Sequence, residues 1–207
     1  MTRADQVRLG VAHIRAADAT LRRVVDAVGP FLVRPARNRF AILVRSIISQ
    51  QISTGAARSI HQRLDERLSP EGITPQAVSR LSVSDLRSVG MSRPKASYLL
   101  DLAQKTLDGS VRLDRIGRLS DADVIQMLTQ VRGIGRWTAE MFLIFSLGRL
   151  DVLPCDDLGF RSALKHLYGL NGLPDKKTCF QIAEPWRPYA SIGCWYCWRG
   201  LDLRRQT

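Results

Sequence analysis

Val131-Arg132-Gly133-Ile134-Gly135-Arg136-Trp137-Thr138-Ala139 lies between two runs of helical periodicity, DADVIQMLTQV before it and RWTAEMFLIFSLG after it. Two helices joined by so short a connection form a tight helical hairpin. Its two glycines permit positive φ and let a ligand approach the backbone with no Cβ in the way. They stand just before a helix, so unpaired amides and the positive end of the helix dipole are offered to a phosphate oxygen. Arg132 and Arg136 add charge on either side, and Ile134 is placed to turn inward and hold the helices together. A dinucleotide fingerprint would need a preceding strand and a third glycine where Thr138 stands, so that reading fails. An ordinary helix connection and a clamp for a nucleic-acid backbone both stay open.

The helical period continues outward from the hairpin in both directions. Val7, Val11 and Ile14 share a face, as do Leu21, Val24, Val25 and Val28 up to the stop at Gly29-Pro30. Phe40, Leu43, Val44, Ile47 and Ile48 follow the i, i+3, i+4, i+7 template. Further helices are expected from Ser53 to Ser69-Pro70, at 74–80, at 83–88 and through KASYLLDLAQKTLDG, and Ser120 is the expected N-cap of DADVIQMLTQV. DDLGFRSALKHLYG, DKKTCFQIAEPW and YASIGCWYCWRGL complete about ten helices. No strand alternates with them, and 111–119 and 149–155 read as loops, so the expected class is all-α. One internal echo stands out: LRSVGMSRPKASYL (86–99) repeats the apolar–glycine–turn–helix pattern of LTQVRGIGRWTAEMF (128–142).

The 207 residues carry 31 Lys+Arg against 19 Asp+Glu, a formal net charge of +12. That excess points to a polyanionic partner, nucleic acid first and an anionic membrane second. Only five of the basic residues are Lys (95, 105, 165, 176 and 177), and the arginine bias has compositional origins as readily as functional ones. Hydrophobic residues at 45% and charged residues at 24% describe a globular chain. No apolar run is long enough to span a bilayer, no helix pairs a basic face with a broad apolar one, and charge interrupts the first twenty residues. A cytoplasmic, nucleoid-associated protein is therefore expected.

Asp156-Asp157 opens LPCDDLGFRSAL, twenty residues after Trp137. A pair of aspartates at a helix start serves as cap and dipole partner. The same geometry suits chemistry, because a fixed negative charge beside a sugar lowers the barrier to an oxocarbenium-like transition state.

The run GIGRWTA resembles the hairpin signature of the helix–hairpin–helix (HhH-GPD) DNA glycosylase superfamily, in which an aspartate follows the hairpin at about this spacing. The likeness extends from about Ala41 to Trp195. It implies a two-lobed helical fold with a DNA cleft between lobes and no β-rich N-terminal domain. As a single unit over 1–207, lobe one would cover 34–145 with the hairpin at 128–142, and lobe two 1–33 plus 146–207. The family places its catalytic Asp three residues before a packed apolar residue; Asp157 with Phe160 fits, which leaves Asp156 as the expected cap. Bifunctional members carry a Lys where Trp137 stands. Without that amine no imine forms with the sugar, so a monofunctional enzyme using water is implied.

The Arg136-Trp137 pair is similar to that of bacterial 3-methyladenine DNA glycosylase II, the AlkA type, which implies excision of alkylated purines. N-methylation puts positive charge on the base, suiting it to an indole face. Trp137, Trp195 and Met141 are the candidates to receive it, with core packing as the alternative for each; where the family often has Tyr, this chain has Met141. Gly133, Gly135, Arg132, Arg136 and Thr138 would hold the DNA backbone. The corner Ser49-Gln50-Gln51-Ile52-Ser53 would supply the wedge, Gln51 or Ile52, that fills the gap left by a flipped nucleotide. Carbonyls of Thr129, Val131 and Ile134 would hold a sodium or potassium ion.

Cys194 and Cys197 lack two further ligands for zinc and the four-cysteine spacing of iron–sulfur relatives, so buried thiols, and no required cofactor, are expected. Duplex DNA carrying damaged bases is the expected partner of a monomer that needs no obligate protein partner. Two alternatives remain: a glycosylase for uracil, oxidised or mismatched bases, and a non-catalytic DNA-binding module in which Asp157 only caps.

Overall fold

A computed structural model describes residues 1–36 and 38–204. Among the described residues there are twelve α-helices and no strand. Each falls on one of the segments of helical period, the short helices Pro75–Ser79 and Val83–Ser88 on 74–80 and 83–88. The chain divides into two compact units, one of Met1–Pro35 with Gly148–Thr207, the other of Ala36–Leu147.

The first unit holds α1 (Arg3–Ala17), α2 (Ala19–Val28), α10 (Leu158–Leu167), α11 (Lys176–Ala183) and α12 (Ala190–Arg204). Helix α12 is its axis and packs against α10, α2 and α1. Every residue from Ala190 to Cys197 is buried, which is why YASIGCWYCW shows no polar face in the sequence. Ile14, Leu21, Phe160, Leu164, Trp186 and Tyr196 fill the surrounding core. Each such side chain removed from water contributes about 1.5–3 kcal/mol. Asp18 ties the layer together: Oδ1 accepts the Thr20 and Leu21 amides at 2.9 Å each, capping α2, while Oδ2 accepts Tyr168 Oη at 2.5 Å and Trp186 Nε1 at 2.9 Å.

The second unit holds α3 (Arg39–Ser49), α4 (Thr54–Arg67), α5 (Pro75–Ser79), α6 (Val83–Ser88), α7 (Arg93–Leu107), α8 (Asp121–Leu128) and α9 (Arg136–Phe142), the last running on into a π turn over Leu143–Leu147. All five apolar residues of the α3 template are buried, against α4, α7 and α9. Ser120 caps α8 through the Asp123 amide at 3.2 Å. The sequence echo is structural: Gly90 before α7 and Gly133 before α9 both adopt positive φ, +103° and +80°.

Candidate active site

The α8–α9 hairpin follows its sequence at Gly133 and departs from it at Gly135. A Cβ on Gly133 would come within 2.1 Å of the Tyr98 ring, so glycine is required there by space as well as by φ. Gly135 instead takes ordinary extended angles, φ −92° and ψ 176°, and a Cβ there would meet nothing within 4 Å. Its value is the open space it leaves before the uncapped first turn of α9. Ile134 is buried and its amide donates to the Val131 carbonyl at 3.1 Å.

The Arg132 amide is not offered to a ligand: it donates to Asp101 Oδ2 at 2.8 Å, and the guanidinium lies 3.4 Å from Oδ1. Asp101, on α7, also takes Lys105 Nζ at 2.7 Å. Burial pushes the Asp101 carboxyl up, but hydrogen bonds from Lys105 and the Arg132 amide outweigh it and hold the group below its ordinary value. Sequence reasoning missed this anchor; an Asp–Lys pair at i, i+4 was its only trace. Arg136 remains largely exposed while its Nε meets Glu140 Oε1 at 2.9 Å. Thr138, placed at the DNA backbone by the resemblance, has a buried side chain that lines a cavity of about 410 Å³ with Ile42, Ser49, Met141 and Phe145. The third position of α9 faces the neighbouring α3.

The corner between α3 and α4 lies against the same hairpin, with Gln50 Nε2 donating to the Gly133 carbonyl at 2.8 Å. Gln51 projects into solvent and holds φ +54°, the one described non-glycine residue in the left-handed region. That conformation costs about 1–2 kcal/mol. Ile52 beside it is also exposed.

In the other unit, Asp157 is the N-cap of α10. Its Oδ1 accepts the Phe160 amide at 2.5 Å and Trp198 Nε1 at 2.8 Å. The division of labour expected within the aspartate pair is therefore corrected. Asp157 caps and is also the carboxylate held in a fixed orientation, whereas Asp156 is exposed and pairs with Lys176 at 2.7 Å. Trp198 was not foreseen, because one more aromatic in a buried helix carries no mark of its partner. Gly159 completes the arrangement: a Cβ there would stand 3.2 Å from Asp157 Oδ1 and 3.5 Å from the Trp198 ring.

With the hairpin and the held carboxylate in place, comparison with known proteins is informative. The family model for the HhH-GPD superfamily base excision DNA repair protein matches residues 44–188. The chain belongs to this superfamily. It is 34% identical over 203 residues to DNA-3-methyladenine glycosylase 1 of Schizosaccharomyces pombe, covering 94% of this chain and 88% of that protein. A solved structure of the 3-methyladenine DNA glycosylase of that organism, in complex with abasic DNA, superimposes with a TM-score of 0.80 over 92% of this chain and 95% of that one. The DNA-3-methyladenine glycosidase of Bacillus halodurans gives a TM-score of 0.84 at 33% identity, over 95% and 91% of the two chains.

Within this HhH-GPD chain the three candidate base receivers have different surroundings. Trp137, at the second position of α9, is 42% exposed, so its size is not spent on a core. Met141, one turn on, lines the 410 Å³ cavity. Trp195 is 8% exposed and packs edge-on against Phe31, centroids 5.0 Å apart, and Tyr196 at 4.9 Å, which favours the core-packing alternative. All four cysteines are buried and none forms a disulfide, and burial pushes the Cys194 and Cys197 thiols well above their ordinary value. The Thr129 and Ile134 carbonyls accept no hydrogen bond among the described residues, and Val131 accepts one. Three hard oxygens with lone pairs to spare fit a monovalent cation. No helix among the described residues is long and apolar enough to cross a membrane.

Proposed function

We propose that this chain is a monofunctional DNA glycosylase that hydrolyses the N-glycosidic bond of alkylated purines in duplex DNA, of the 3-methyladenine and 7-methylguanine type, and leaves an abasic site for base-excision repair. The observation that carries this reading is the Asp157 carboxylate, pinned by a backbone amide and an indole N–H at a helix N-terminus. Both donors fall on Oδ1, which fixes the carboxylate plane. As the base departs, positive charge grows on the sugar ring, and a preoriented anion stabilises it without reorganising. The same group orients the water that attacks the sugar. Alkylation supplies the rest, since a cationic purine is already a good leaving group.

The hairpin 128–142 contains no lysine. With no amine to form an imine, the reaction ends at the abasic site and the strand stays intact. Trp137 offers an exposed indole face to the cationic base, with Met141 behind it. The backbone of Gly133 and Gly135, the charges of Arg132 and Arg136 and the α9 N-terminus hold a phosphate, while Gln51 or Ile52 fills the vacated stack. Thr129, Val131 and Ile134 would hold a sodium or potassium ion that adds positive charge beside that phosphate; no other cofactor is needed. The protein acts as a monomer on damaged duplex DNA in the nucleoid-containing cytoplasm, with no obligate protein partner.

The test is base release from methylated duplex DNA by wild type and Asp157→Asn, scored with and without alkali. Methylated purines released by wild type alone, with breaks only after alkali, are expected. Breaks without alkali would overturn the monofunctional assignment. Intact DNA binding with no methylated base released would move the function to another lesion or to binding alone.

A further inference from the structure

The echo hairpin at 86–99 has no part in the chemistry above, yet it places a charge at a sensitive point. Lys95 stands in the first turn of α7, behind the positive-φ Gly90. Its Nζ donates to the Ile48 carbonyl at 2.8 Å and the Gln50 carbonyl at 2.5 Å. These belong to the end of α3, where carbonyls have no partner within the helix and a cation is favoured by the dipole. The Gln50 carbonyl belongs to the peptide that leads into Gln51, whose φ of +54° makes it the strained residue of the corner. Gln50 in turn grips the Gly133 carbonyl through its side chain at 2.8 Å. One ammonium group thus fixes the peptide from which the wedge projects, and that peptide is tied to the phosphate-holding hairpin. A strained conformation persists only where its surroundings over-determine it, and Lys95 with Gln50 supplies that restraint.

We propose that Lys95 is a positioning residue for nucleotide flipping: by clamping the Ile48 and Gln50 carbonyls it holds the Gln51 corner raised to enter the duplex. This rests on the glycosylase reading of the site. Lys95 touches neither base nor sugar and acts through Gln51. Its loss therefore weighs on substrates whose target base must be extruded from a paired stack, and little on those where the base is already unpaired.

The experiment compares wild type, Lys95→Met and Lys95→Arg. A duplex carrying 2-aminopurine beside the target position reports extrusion by its fluorescence, and anisotropy on the same duplex reports binding. Release of methylated purine is followed in parallel from that duplex and from a single-stranded oligonucleotide. For Lys95→Met, loss of most of the fluorescence rise is expected, with affinity within about twofold and release from duplex about tenfold slower. Release from the single strand should change less than about twofold, and Lys95→Arg, which keeps the donors, should recover most of the duplex rate. Equal losses on both substrates would mean a general structural role, and an unchanged fluorescence rise would mean that the clamp does not set the wedge; either overturns the proposal. A wild type that extrudes the base but releases none would instead overturn the glycosylase reading and leave the fluorescence comparison decisive for Lys95.

Discussion

On the proposed reading Asp157 does two jobs with one carboxylate, capping α10 and supporting the sugar's charge, and substitutions separate them. Asparagine keeps an oxygen for the Phe160 amide but discards the charge, so Asp157→Asn should lower the base-release rate by about a hundredfold or more. Its melting temperature should stay close to that of wild type. Asp157→Ala also removes the α10 cap, costing about 1 kcal/mol, and frees the Trp198 indole; thermal unfolding beside single-turnover kinetics checks both. The hairpin glycines divide in the same way. Gly133→Ala meets both a positive φ and the Tyr98 ring, so a loss of about 2 kcal/mol or more is expected in chemical denaturation. Gly135→Ala has ordinary angles and open space, so stability should hold, while DNA affinity falls if the hairpin holds a phosphate as proposed, because the new methyl fills that open space. Of these residues, Asp157 and both glycines were legible from spacing and type. Trp198 and Tyr98 were not, since each matters through a neighbour far away in sequence.

At the scale of elements, the hairpin is held from outside itself. Asp101 on α7 receives the Arg132 amide and the Lys105 ammonium, and this keeps its carboxyl ionised below the usual range. A folded-state value below the unfolded one stabilises fully above the ordinary carboxylate pKa and is lost as pH falls through the lowered value. The stability gap between wild type and Asp101→Asn should therefore be constant near neutrality and shrink as the pH drops below about 4; denaturation curves across that range test it. Helix existence could be read from the 3.6-residue period almost everywhere. What the period could not convey was the first half of α12, buried from Ala190 to Cys197, and the inward turn of Thr138, because both depend on which helices pack alongside.

For the whole molecule, a net charge of +12 commits the chain to a salt-sensitive encounter with its polyanion. The logarithm of DNA affinity should fall linearly with the logarithm of salt concentration, and Arg136→Gln should reduce the slope by about one. Titrations across a salt series would show an unchanged slope if Arg136 touches no phosphate. By itself the sequence determined the all-helical class, the hairpin, its downstream aspartate, the polyanionic partner and the missing lysine, because all of these are written in local pattern, residue type or total charge. Only the tertiary structure decided that Asp157 rather than Asp156 is the cap, that Trp198 meets its carboxylate, and that Asp101 holds the hairpin and Lys95 the corner between α3 and α4. Those outcomes rest on hydrogen bonds between residues as many as 47 positions apart, and no periodicity reports which donor will find which acceptor once the helices have packed.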